Sequence, residues 1–234
     1  MPGLLNIIST PIGNLKDITL RAIESLKSSD FIACEDTRVA SVLLNRIEVK
    51  KELISLNAVN ESKKINIVLE RILNGETCAL ISDAGTPGIS DPGVKLISEA
   101  IKNNIKVVSV PGPAALIAAL SVSGLPSDSF VFEGFLPQKK GRQKLLKELS
   151  EEKRTIVLYE STYRIEKLLN ELNSFMPERF VVVCRELTKK FEETWRGFPK
   201  DLIDSFSQKI TKGEFVVVIS PKYWKVMDSN YSES

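Results

Sequence analysis

Residues 82–93 read SDAGTPGISDPG and follow a short apolar run. Three glycines and two prolines in a turn from strand to helix let backbone come close to a ligand, at the strand end where open α/β sheets bind one. A merely tight connection needs one or two glycines and has no use for Asp83 and Asp91 as well. Gly88 and Gly93 stand at G-x-x-x-x-G spacing. Yet Val94 and Lys95 follow where a phosphate loop carries lysine and then serine or threonine, and two carboxylates repel phosphate. The dinucleotide fingerprint G-x-G-x-x-G is also absent. The loop therefore suits a ligand with cationic groups and no phosphate.

Two more turns share this chemistry: STPIGNL at residues 9–15 and VPGPAAL at residues 110–116, each after an apolar run. Three such turns after parallel strands converge on one rim of the sheet. S-adenosylmethionine, with its sulfonium and ammonium groups, is a ligand of the required charge. Glu35, Asp36 and Arg38 follow another apolar run; an ion pair or helix cap and a role in proton removal explain them equally well. Asp91 has an alternative use as cap of the helix starting at Gly93. Lys189, ending RELTK, is either a base or phosphate contact or a solvated lysine. Lys139, Lys140, Arg142, Lys144 and Lys147 put five positive charges in nine residues, which fits a phosphate-tracking patch or a solvated helix face partly balanced by Glu148, Glu151 and Glu152. Trp195 and Phe198 are assigned to packing rather than to base stacking.

Elements must hold these turns in place. Residues 4–8, 30–34, 77–82 and 106–110 are β-favouring runs separated by helical patterns, which predicts a largely parallel sheet. Asp17 is expected to cap a helix with Leu20, Ile23 and Leu26 inward, and Asn60 one whose Ile65, Val68, Leu69, Ile72 and Leu73 share a face before Asn74 and Gly75 stop it. Residues 113–122, small and apolar on every side, predict a helix buried between layers or domains. The second half offers strands at 130–135, 155–159, 180–184, 193–196 and 214–219, and a helix capped by Thr162 that packs Ile165, Leu168, Leu169 and Leu172. The last three strands have no full helix between them, so the second sheet is expected to be mixed. The division is residues 1–115, 116–224 and a polar tail at 225–234.

Bulk properties exclude several classes. The chain has 234 residues, 43% hydrophobic and 26% charged, as in ordinary globular proteins. Without histidine there is no histidine triad, histidine-ligated zinc or imidazole acid/base chemistry, and no metal site is expected. Cys34, Cys78 and Cys184 lie in apolar runs and read as buried thiols in a reducing cytoplasm. Residues 1–8 lack a signal-peptide pattern, and no apolar stretch reaches the ~18 residues of a membrane span. A net charge of +2 says nothing about nucleic acid.

The strings TPIGNLKDITLRAIESL, EDTR, SDAGTPGISDPG, VPGPAAL, FEGFLP, YEST and RELTK together resemble the tetrapyrrole (corrin/porphyrin) methylase superfamily, and its ribosomal RNA branch within it, over residues 4–221. The resemblance implies two α/β domains of the class III methyltransferase kind with adenosylmethionine in a cleft between them, a homodimer, and 2′-O-methylation of a cytidine in the decoding region of 16S rRNA in the small ribosomal subunit. Carried onto matching positions, the cofactor meets Pro11, Ile12, Gly13, Gly85, Thr86, Pro87, Ile89, Gly112, Ala114 and Ala115. Asp36, Lys189 and Glu35 are the catalytic candidates, and Arg38, Lys139, Lys140 and Arg142 those for RNA. Relatives carry histidines near positions that here hold Asn57 or Ala58, Tyr163 and Phe191. Methylation of a small tetrapyrrole and a non-catalytic RNA-binding assembly module are the alternatives.

Overall fold

The computed structural model describes residues 2–56, 61–206 and 212–225, without the side chains of 61–63. The expected cap Asn60, the positions Asn57 and Ala58, and all of the tail beyond residue 225 lie outside the described residues. The chain forms two compact units, Met1–Ala114 and Ala115–Ser234, each around a five-stranded sheet.

In the first unit β1 (Leu4–Ile8), β2 (Phe31–Cys34), β3 (Glu52–Ser55), β4 (Cys78–Ile81) and β5 (Lys106–Val110) alternate with α1 (Leu20–Ser28), α2 (Thr37–Arg46), α3 (Glu61–Leu73) and α4 (Val94–Lys102). Every strand pair is parallel, in the order β3-β2-β4-β1-β5. Side chains alternate between two apolar layers. Leu5, Phe31, Ala33, Cys78 and Leu80 pack with α3 and α4, whereas Ile8, Ile32, Cys34, Ala79 and Ile81 pack with α1 and α2. The chain moves one way along the sheet through α1 and α2 and the other way through α3 and α4, so crossovers of a single hand must use opposite faces. Travel reverses between the neighbours β4 and β1, which opens a crevice beyond their carboxyl ends.

Local details depart from the sequence-based expectations. β3 is an added edge strand: only Ile54 is buried and Glu52 is exposed, so its four residues carry almost no apolar pattern. Asp17 ends a 3-10 turn, and Thr19 caps α1 instead, its hydroxyl accepting from the Ala22 N–H at 3.0 Å. Leu20 is consequently exposed, and Ala22 and Leu26 form the buried face. On α3, Ile65, Val68, Leu69 and Ile72 are buried, but Leu73 is exposed.

In the second unit α5 (Ala115–Ser123) is followed by β6 (Phe130–Phe135), α6 (Arg142–Ser150), β7 (Thr155–Ser161), α7 (Ile165–Phe175), β8 (Val181–Arg185), β9 (Glu193–Gly197), α8 (Pro199–Asp204) and β10 (Glu214–Ile219). The sheet is mixed, in the order β6-β7-β10-β8-β9, with β6 and β7 parallel and the other pairs antiparallel. Because β7 and β8 both oppose β10, the strands β6, β7 and β8 all end at one edge. Leu146 and Leu149 of α6 and Ile165, Leu168, Leu169 and Leu172 of α7 share a core with Trp195. Thr162 does not cap α7: Arg164 occupies that position without a side-chain cap, and the Thr162 hydroxyl exchanges hydrogen bonds with the Gly213 backbone. The uniformly apolar α5 packs on β7 and β10 but is not covered all round, since Ile117 and Val122 are exposed.

Candidate functional site

The three glycine and proline turns leave the carboxyl ends of β1, β4 and β5, which are neighbours in the sheet. They are tied together directly. Thr10 and Gly85 exchange backbone hydrogen bonds of 2.8 and 3.1 Å. The Ser9 and Thr86 hydroxyls meet at 2.8 Å, and Thr86 Oγ1 also donates to the Pro113 carbonyl at 3.1 Å. The first and third turns thus each fasten to the central one, and Ser9, Thr10 and Thr86 hold the arrangement. Serine and threonine ahead of the first proline were the available sign of this, but their partners are some 75 residues away.

Backbone conformation explains the composition. Gly85, Gly88 and Gly93 all have positive φ, where a Cβ is unfavourable. Gly112 has a different reason: a Cβ there would lie 3.0 Å from Cβ of Ser9, so any larger residue must push the first and third turns apart by a few tenths of an ångström. Of the expected cofactor contacts in this unit, Gly85 and Pro87 are buried, Pro11, Ile12, Thr86 and Ala114 partly so, and Gly13, Ile89 and Gly112 are exposed. The Gly85 N–H and C=O are both consumed by Thr10, so its part is to shape the turn. Ala115 begins α5 of the second unit.

Carboxylates gather where β2 and β4 end side by side. Asp83 accepts from the Asp36 N–H at 3.1 Å. Burial pushes the Glu35 carboxyl above the usual range, and Asp83, Asp91 and Asp36 raise it further. Asp83 is raised by desolvation and by Asp36, against its bond from the Asp36 amide. Asp91 is raised by desolvation and Asp83, against a hydrogen bond from Ser82. Asp91 therefore belongs to this group, and the N-cap position of α4 falls two residues later, at Gly93. Asp36 differs: hydrogen bonds from the Arg38 guanidinium and amide hold it down at about 2, and it caps α2. Cys34 below them is driven up to about 12 by burial, then by Asp83 and Asp36, which removes it as a nucleophile. All three cysteines are buried and unbridged. Among the described residues no group of histidine, cysteine, aspartate or glutamate is placed to hold a metal.

Two candidates are corrected by their surroundings. Arg142 cannot track RNA phosphates, because it is 2% exposed and its guanidinium is bound by Glu171 at 2.7 Å with Glu160 at 3.6 Å. Lys189 is no neutral base. Burial alone would lower its pKa, but hydrogen bonds to Glu186 at 2.8 Å and Glu214 at 2.9 Å outweigh that and raise it. Lys139 and Lys140 are exposed, as is Arg38, which lies along Asp36. Trp195 is buried in the core, and Phe198 stands edge-on to Phe180.

An open parallel sheet with interlocked glycine turns at its switch point and carboxylates beside them, followed by a mixed-sheet unit, is the two-sheet α/β fold of class III methyltransferases. Residues 4–203 match the tetrapyrrole (corrin/porphyrin) methylases, and the chain belongs to that family. It is 46% identical over 220 residues to ribosomal RNA small subunit methyltransferase I of Thermotoga maritima, covering 94% of this chain and 99% of that protein. The protein of the same name from Synechocystis is also 46% identical, over 93% of this chain and 79% of its own length. Among solved structures, the cobalt precorrin-4 methyltransferase CbiF superposes with a TM-score of 0.69 at 19% identity, over 92% of this chain and 94% of that one. Uroporphyrin-III C-methyl transferase from Thermus thermophilus, complexed with S-adenyl homocysteine, gives 0.64 at 15% identity, over 92% and 97%.

Proposed function

We propose that this chain methylates the 2′-hydroxyl of a cytidine in the decoding region of 16S rRNA, using S-adenosylmethionine. The single observation that carries the reading is the locked trio of turns beside three carboxylates with raised pKa values. Mutual repulsion makes that rim receptive to a cation and hostile to phosphate. The names of its nearly full-length relatives supply the RNA.

Bound adenosylmethionine supplies a methyl group made electrophilic by its positive sulfur. Pro11, Ile12, Gly13, Thr86, Pro87, Ile89, Gly112, Ala114 and Ala115 are the residues proposed to hold it, with Gly85 shaping the central turn. As the ribose oxygen bonds to the methyl carbon and the carbon–sulfur bond breaks, the hydroxyl proton must leave. Glu35 is the best acceptor of the three catalytic candidates, because its carboxylate is made more basic whereas Asp36 is spent on Arg38 and Lys189 stays protonated. Arg38, Lys139 and Lys140 are left for the RNA backbone. The proposal includes a homodimer acting in the cytoplasm; exposed Ile117 and Val122 on α5 offer it apolar surface. No helix among the described residues is long and apolar enough to cross a membrane.

Labelled adenosylmethionine with purified small ribosomal subunits tests the reaction. Label is expected in 16S rRNA at a position that resists alkaline cleavage, because a methylated 2′-oxygen cannot attack the neighbouring phosphate. Label on a base, or on a precorrin and not on RNA, overturns the proposal.

A further inference from the structure

The edge of the second sheet where β6, β7 and β8 end carries three loops, and each presents an exposed aromatic ring. Phe135 closes β6 at 52% exposure, Tyr163 in the turn after β7 is 95% exposed, and Phe191 in the loop after β8 is 64% exposed. Two of the three have a cation beside the ring. The Arg164 guanidinium lies 5.7 Å from the Phe135 ring centre and follows Tyr163 directly, and Lys190 Nζ is 5.5 Å from the Phe191 ring centre. Lys139 and Lys140 extend the same edge in the loop after β6.

Several carboxylates at this edge are paired or hydrogen-bonded. Glu160 is buried against Arg164 at 2.7 Å, and Glu186 and Glu214 hold Lys189. Glu192 accepts from the Thr188 N–H, and Glu193 accepts from the Trp195 indole. Lys139, Lys140 and Lys190 are exposed and have no ion pair among the described residues, so these three cations are open to an anionic ligand even though exposed Glu133, Glu166 and Glu192 lie on neighbouring segments. The loops are also held in place. Arg164 donates to the Leu136 carbonyl at 3.3 Å, and Arg142 donates to that of Pro137 at 3.2 Å. The buried Arg142 thus positions the basic loop without itself reaching solvent. On the far side Arg185 donates to the Phe191 carbonyl at 3.1 Å.

Exposed rings with unpaired lysines near them, on loops anchored at one sheet edge, are the requirements for stacking unpaired bases while neutralising their phosphates. From β6 to β8 is three strand spacings, about 14 Å. We propose that this edge is a platform for an unpaired RNA segment, with Tyr163 and Phe191 as the stacking rings and Lys139, Lys140 and Lys190 on the backbone. Paired bases have no free face to offer it, which selects single strands over duplex. This deepens the proposed function and rests on RNA being the substrate.

The test uses the full chain and a single-stranded RNA oligonucleotide carrying 2-aminopurine, whose fluorescence is quenched on stacking. Quenching is expected with the unaltered protein, and binding of a duplex of the same sequence is expected to be weaker. Tyr163→Ala and Phe191→Ala should each weaken binding about five- to a hundredfold and relieve the quenching, with an unchanged salt slope. Tyr163→Phe should restore both. Lys139→Glu with Lys140→Glu should instead flatten the slope. No binding by the unaltered protein, equal affinity for duplex, or alanine variants that bind and quench normally would each overturn the platform. Normal methylation of small subunits alongside such alanine variants leaves the proposed reaction standing, whereas stacking without methyl transfer sinks the reaction alone.

Discussion

Arg142 and Glu35 show how burial decides what a charged residue does. Arg142 is shut into the second unit with Glu160 and Glu171, both far along the chain. Removing one partner of such a group leaves uncompensated buried charge, so Arg142→Ala is expected to cost about 3–5 kcal/mol in denaturant unfolding. The exposed neighbour Lys139→Ala should stay within roughly 0.5 kcal/mol. Glu35 is half-buried, and its folded-state pKa lies above the unfolded one, first from desolvation and then from Asp83, Asp91 and Asp36. The folded chain therefore holds that proton more tightly. The associated stability is complete below the ordinary glutamate pKa and is lost as pH rises through the raised one. Glu35→Gln is expected to be more stable than the unaltered chain at neutral pH, as pH-dependent unfolding will show. If Glu35 takes the ribose proton, single-turnover methyl transfer with both ligands bound should fall roughly 10²- to 10⁴-fold in that variant. Unaltered rates would remove Glu35 from the chemistry.

At the scale of elements, the candidate site is a set of turns whose shape depends on contacts between strands. Gly112 and Gly85 fail for different reasons when enlarged. A side chain at 112 drives into Ser9, and one at 85 must adopt φ of +79° with its Cβ 3.4 Å from Ile12. Gly112→Val should therefore separate the first and third turns and abolish the rise in thermal midpoint that adenosylmethionine is expected to produce. Calorimetry that finds normal cofactor affinity in this variant would place the ligand elsewhere. Helix caps are a local matter by comparison. Thr19→Ala removes one hydroxyl from the start of α1 and should cost about 1 kcal/mol without touching ligand binding.

The whole molecule adds the expectation of association. Sedimentation of the purified chain should give about twice 26.1 kDa, and charge substitutions at Ile117 and Val122 on α5 test whether that face is buried in the dimer. A monomer at micromolar concentration contradicts the expectation. Turn chemistry, helix periodicity and β-favouring runs are local, so the α/β class, the mixed second sheet and the three glycine turns were legible in the residues themselves. The strings that mark the family were legible for the same reason: they are contiguous. Edge strand β3 was not, because a half-exposed four-residue strand has no pattern until a neighbour pairs with it. The caps at Asp17 and Thr162 were misplaced, since several polar residues precede each helix and only backbone geometry selects among them. Arg142 looked like its basic neighbours because its partners lie 18 and 29 residues away, and the raised carboxylates of the first unit look like any acidic residues until β2 and β4 bring them together. Sequence by itself determined the kinds of residue and their local geometry; tertiary structure decided which charges are buried, paired or free, because desolvation and pairing depend on neighbours that the chain supplies only when folded.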